Sequence, residues 1–232
     1  TGSNGLVLVS AAGIYVAGLL DGAAHGVTAG PGGRSSTSAG TGSGDGGNGA
    51  QFNQDQYQTG GGGGGHAGTG GTGGGSGGTG GAVMGNTTLD PLLAGSRGGF
   101  NAKSEQAASV GAGGGVIVLV AWAQVEIATS QLPLPVGEVV GAVDVSGGAG
   151  QDYGVGGGSG GSVFIEAPQV KVNGVIRGKG GGGACSNAAG TDGRNGGAGC
   201  TSADPNVSRG GIGGGYWTTS PFVLLWFNGG NG

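Results

Sequence analysis

Only two side chains in the sequence titrate near neutrality, His25 and His66, and acid–base or nucleophilic catalysis is usually built around such groups. Both stand in glycine-rich surroundings, with no Ser or Cys nucleophile and acidic partner in a recognisable arrangement. Each therefore reads as a solvated loop histidine. Asp21, Glu126 and Asp144 could supply a carboxylate pair for glycoside cleavage. The internal repeat described below, however, places Arg177 at the position equivalent to Asp21 and Asp144, which favours a ladder of charges across stacked strands. The strings GSGDGGNGA (42–50) and GTDGRNGG (190–197) look like calcium loops in composition, but the nonapeptide calcium spacing is not reproduced. No metal site, no cofactor and no enzymatic activity are expected.

Recognition has better candidates, because the chain carries only 3 Trp, 4 Tyr and 5 Phe. Gln51, Phe52 and Tyr57 frame the polar stretch QFNQDQY, and Tyr216 and Trp217 precede Thr218 and Thr219. An aromatic ring beside amides and hydroxyls suits a sugar, the ring stacking on the pyranose and the polar groups taking its hydroxyls. These five residues are the expected ligand contacts, with a surface glycan or a partner surface protein as target; Trp217 packing beneath the terminal strand is the other reading. Trp122, Trp226 and Phe227 are expected to pack against glycine layers.

Cys185 and Cys200 bound a segment, CSNAAGTDGRNGGAGC, with nothing apolar enough to order it by burial. A disulfide is expected, which would stabilise by about 3 kcal/mol for a loop of this size and suits an oxidising compartment. The expected location is secreted, at a cell surface or on a virion surface. Twelve acidic and 8 basic residues give a net charge of −4, scattered with no basic stripe, so nucleic acid is not an expected partner. The longest apolar run, residues 116–123, is too short for a membrane-spanning helix, which needs about 20 residues. The first residues lack the basic and apolar stretches of a signal peptide.

These residues must be positioned by a chain in which 69 of 232 residues are Gly. An internal repeat is visible. Residues 6–22, LVLVSAAGIYVAGLLDG, align without gaps on 162–178, SVFIEAPQVKVNGVIRG; a third copy runs from Val116 as VIVLVAWAQVEIA, adds one residue, and resumes after an insertion as GAVDVSGG at 141–148. Alternation in Val125-Glu126-Ile127 and Val170-Lys171-Val172 indicates strands. Corners every few residues suggest stacked units of a parallel β-solenoid or β-prism. In that stack Val163, Ile165, Val170 and Val172 are expected to share a core with Val7, Val9, Ile14, Val16, Ile117, Leu119, Val125 and Ile127.

Residues 27–114 form a glycine-rich insertion, and composition alone would make it disordered. Yet Thr69 and Thr72 stand three apart, and Ser76, Thr79 and Ala82 resume that period after a one-residue slip. Three residues per turn is the period of a polyproline II-type helix. Bundled polyglycine II helices are therefore weighed above disorder.

The patterns GVGGGSGGSVFIEAPQVKVNGVIRGKGGGG (154–183) and GAGGGVIVLVA (111–121) resemble the glycine-rich repeat surface proteins of bacteria. They are also similar to the glycine-rich tips of phage tail-fibre adhesins, in which polyglycine II helices pack in layers and loops contact the receptor. The resemblance implies an extracellular adhesin or fibre-tip binding protein, the alternative being a structural subunit of an extracellular filament or matrix. The expected fold is a single all-β domain over 1–232, with strand units at 6–22, 116–148 and 162–181, a terminal strand at 221–227, and bundled polyglycine II helices. A trimeric or filamentous homo-oligomer is an expected assembly.

Overall fold

A computed structural model describes residues 4–35, 44–48, 51–52, 57–74, 77–85, 90–101, 109–128, 141–151, 154–184 and 224–225, with backbone alone for 51–52, 57–58 and 224–225. Every regular element among them is a strand. The first repeat unit supplies β1 (Leu6–Ser10), β2 (Gly13–Val16) and β3 (Leu19–Asp21). Two short strands follow, β4 (Gln51–Phe52) and β5 (Tyr57–Gln58). The second unit supplies β6 (Val116–Ala121), β7 (Gln124–Ile127) and β8 (Ala142–Asp144). The third supplies β9 (Ser162–Glu166), β10 (Gln169–Val172) and β11 (Val175–Arg177), and β12 (Leu224–Leu225) comes last.

Each unit contributes one strand to each of three parallel sheets, in the orders β1-β6-β9, β2-β7-β10 and β3-β8-β11. The second unit therefore lies between the other two. Covered on both sides, it supplies Ile117, Leu119, Val125, Ile127, Val143 and Val145 to the inaccessible centre of the core, joined by Val163 and Ile165. Leu6, Ile14, Val16, Leu20, Val170 and Ile176 close over that centre from the flanking units and keep partial exposure. Burial of this kind stabilises by about 1.5–3 kcal/mol per large aliphatic side chain.

The expected pairing holds in two sheets and slips in the first. Ile14, Val125 and Val170 stand side by side, as do Val16, Ile127 and Val172. In the first sheet Ile117 stands between Leu6 and Val163, and Leu119 between Leu8 and Ile165. The gapless alignment had put Val7 and Val9 there. The third unit turns its first corner with one residue fewer, Ala167-Pro168 against Ala121–Ala123, whereas the first and second units keep equal spacing. A slip of one residue exchanges the faces of a strand, so Val7 and Val9 are 58% and 70% exposed instead of buried. Val172, also expected in the core, is exposed as well, because it lies at the outer end of the third unit.

The glycine segments are joined through their backbones with a three-residue rhythm. Gly60 and Gly63 donate to the carbonyls of Gly74 and Gly71, Gly61 and Gly64 to those of Gly154 and Gly157, and Gly62 and Gly65 to those of Gly47 and Gly44, all at 2.7–3.0 Å. The carbonyls of Gly60, Gly62 and Gly63 accept from Gly78, Gly99 and Gly81. Residues 60–65 thus run amid neighbours on all sides, parallel to 154–157 and antiparallel to 44–47 and 71–74. A Cβ on Gly62 would fall deep inside contact with the Thr79 carbonyl, and one on Gly61 would meet that of Gly99. Side chains are excluded by the closeness of the backbones. A small apolar cluster of Val110, Val155 and Ala184, flanked by Phe100, lies among these segments.

The register predicts opposite outcomes for two valines. Val125→Asp, which buries an unpaired charge, is expected to cost several kcal/mol. Val9→Asp is expected to change stability by no more than about 0.5 kcal/mol. Thermal melts of the two variants check this; equal losses would contradict the one-residue slip.

Candidate functional site

The charge ladder is present. Asp21, Asp144 and Arg177 stand side by side across β3, β8 and β11. Asp144 is inaccessible; it accepts from the Ser146 N–H at 2.9 Å, and Arg177 Nη1 lies 3.9 Å from its Oδ2. Asp21 accepts from the Ala23 N–H at 3.0 Å and meets His25 Nε2 at 3.1 Å. Each aspartate thus binds the backbone two residues onward, closing the strand with the same local turn in successive units. With Asp144 sealed from solvent, this row leaves no opening in which a sugar would meet two carboxylates.

His66 departs from expectation. It is 2% exposed, not a solvated loop residue. Its Nε2 lies 2.9 Å from Ser162 Oγ, and the Ser162 hydroxyl donates to the Leu93 carbonyl at 2.7 Å. The single hydroxyl proton being so used, the imidazole donates through Nε2–H. The His66 carbonyl in turn accepts from the N–H groups of Met84 and Gly85. A Ser–His contact at this distance has the form of a nucleophile–base pair, but Ser162 is as buried as the imidazole and its proton is committed to Leu93. The contact instead ties the end of the 60–65 segment to the start of β9. The separation of 96 positions between the partners hid it from the sequence.

Asp45, within the string that looks like a calcium loop, receives two guanidinium groups. Arg34 Nε lies 3.0 and 3.1 Å from its two carboxylate oxygens, Arg97 Nε 3.1 Å from Oδ2, and the Arg97 N–H 3.3 Å from Oδ1. Arg97, in the segment Ser96–Gly99, is buried, with its guanidinium 5.2 Å above the centre of the Phe100 ring. Among the described residues no group of three or more His, Cys, Asp or Glu side chains is placed to hold a metal ion. Nor is any helix among the described residues long and apolar enough to cross a membrane.

The sequence-derived ligand residues are only partly located. β4 and β5 pair antiparallel, setting Phe52 opposite Tyr57 and Gln51 opposite Gln58. Tyr216, Trp217, Trp226, Phe227, Cys185 and Cys200 lie outside the described residues. Two aromatics that the sequence reading did not select are the most exposed ones described, Trp122 at 76% and Tyr15 at 64%. Trp122, expected to pack on glycine, sits at the corner that is one residue longer than its counterpart in the third unit. The N–H groups of Trp122 and Ala123 donate to the carbonyls of Ser10 and Ala12, so the corner backbone is fixed while the indole faces solvent. Tyr15 is in register with Glu126 and Lys171, the outward row of the second sheet. Glu126 is held by Gln124 Nε2 at 3.0 Å and Asn173 Nδ2 at 3.4 Å. Tyr15 and this polar row share the outward face of the second sheet, and Trp122 is exposed at the corner that leads into β7. The outward position in GIYV was the available signal for Tyr15, and the extra residue in the repeat was the signal for Trp122.

Burial pushes the His66 imidazole from its ordinary 6.5 down to about 4. The unfolded chain then binds the proton first as pH falls, so this contribution to stability is full above pH 6.5 and is lost between about 6.5 and 4. The loss should approach about 3 kcal/mol. Denaturant unfolding at a series of pH values should show this slope, and His66→Gln should flatten it; an unchanged slope would remove His66 as its source. No protein-family model, curated protein or solved structure matches this chain.

Proposed function

We propose that the chain is an extracellular adhesin or fibre-tip protein that recognises a neutral surface glycan, and that it has no catalytic role. In this reading the three units form a parallel β-solenoid, and the glycine segments are bundled polyglycine II helices packed beside it. In-register pairing of equivalent strands in all three sheets supports the first part. The return of the 60–65 segment to the same neighbour at every third residue supports the second, since such helices have three residues per turn. The disulfide between Cys185 and Cys200 and a secreted, cell-surface or virion-surface location belong to the same proposal, as do second contacts through Gln51, Phe52, Tyr57, Tyr216 and Trp217.

The carrying observation is the exposure of Trp122 and Tyr15 on hydrogen-bonded backbone. Glycine faces present little area or directionality, whereas an exposed ring on a rigid scaffold offers broad contact at low entropic cost. Trp122 stands level with Ala11, four residues before Tyr15, so the two backbone positions are separated by at most about 13 Å along the chain and one strand spacing of about 5 Å. That span suits an oligosaccharide better than one sugar ring. Glu126 and Lys171, which continue the row from Tyr15, have opposite charges, which leaves that row without a net charge and suits a neutral ligand.

Binding of the purified chain to immobilised neutral polysaccharides tests the proposal. Trp122→Ala and Tyr15→Ala should each weaken binding by about tenfold, equivalent to about 1.4 kcal/mol, with melting temperatures unchanged. Undiminished binding by the double variant, or no binding to any polysaccharide, would contradict it.

A further inference from the structure

Exposed apolar side chains are concentrated in one unit. Of the eight large ones exposed among the described residues, Val7, Leu8, Val9, Tyr15 and Leu19 belong to the first unit. β1 is the last strand of its sheet, paired on one edge with β6 and with no described strand on the other. The opposite end of that sheet is finished differently. There β12 lies antiparallel on β9, with Leu224 opposite Phe164 and Leu225 opposite Val163.

An open edge offers a row of backbone donors and acceptors, and protein edges are commonly guarded by charge, proline or a bulge. β1, with the sequence LVLVS, has none of these guards, and Asp21 is the sole charged residue in β1, β2 and β3. We propose that β1 is a self-association edge, at which two copies of the chain pair antiparallel about a twofold axis through Leu8. Leu8 then stands opposite the partner's Leu8, Val7 opposite the partner's Val9, and Leu6 opposite the partner's Ser10.

Charge favours this occupant. A second β1 brings no like charges together, whereas an anionic or cationic partner would find no complementary group on the strand. The pairing also continues an existing arrangement, because the same sheet already ends in an antiparallel strand at its other edge. Since β12 occupies the β9 edge, β1 of one copy cannot add to β9 of the next in this sheet. The twofold arrangement therefore closes as a dimer instead of growing as a filament. The proposal is independent of the glycan reading; if both hold, a dimer presents two Trp122 and Tyr15 surfaces.

Sedimentation equilibrium of the full chain over a concentration series is the first measurement, and a species of twice 21.4 kDa is expected. Val9→Lys, at an exposed position, should shift the population to monomer, with the wild-type melting temperature at concentrations low enough for both chains to be monomeric. Leu8→Cys should cross-link two chains on oxidation beyond the wild-type background, since opposed Cα atoms are about 4.5–5.5 Å apart, within disulfide reach. Val9→Cys should not, because its two copies would be about 8 Å apart. A wild-type chain that stays monomeric, open-ended growth of larger species, or equal cross-linking by the two cysteine variants would each overturn the proposal.

Discussion

In this chain the backbone takes over the packing role that side chains have elsewhere. Gly60 to Gly65 direct six consecutive N–H groups to three different segments, and the neighbouring carbonyls stand where a Cβ would be. The strand architecture depends on this closeness. Parallel strands need a long return between them, and here much of that return is made of glycine segments. The pairing continues past the strand ends, with Ala24 donating to Ser146, Gly115 to Gly22 and Gly161 to Val145. Strand stack and glycine segments thus form one hydrogen-bonded body among the described residues.

Ordering glycine is costly, because glycine loses more backbone freedom than any other residue. The aliphatic centre offsets part of that cost, and buried polar contacts join the parts. Asp45 holds Arg34 and Arg97, and so links three segments distant in sequence. His66 and Ser162 connect a glycine segment to β9. With only 9% of residues charged, much of the described ionic chemistry lies in such joints. The outward face is left to a few aromatic and polar side chains on fixed backbone.

The repeat units and the alternation in their second strands were legible, because QVEI and QVKV carry apolar and charged residues in strict turn. The same reading placed Asp21, Asp144 and Arg177 side by side. It failed in LVLVS, where both faces are apolar and alternation cannot choose between them. The corner at Trp122 was misread for a related reason, since the length of a corner decides whether its extra residue turns in or out. His66, Ser162, Asp45 and the two arginines meet across 11 to 96 residues, and no local pattern reports such encounters. Which glycine segments pair was also unreadable, since all present the same backbone groups.

Hydrogen exchange of backbone amides, resolved by residue, tests the central claim most directly. The account predicts that the N–H groups of Gly61, Gly62 and Gly64, bonded to Gly154, Gly47 and Gly157, exchange as slowly as those of Val125 and Ile127 in the core. Exchange of these glycines at the rates of an unstructured peptide, with Val125 and Ile127 still protected, would contradict it.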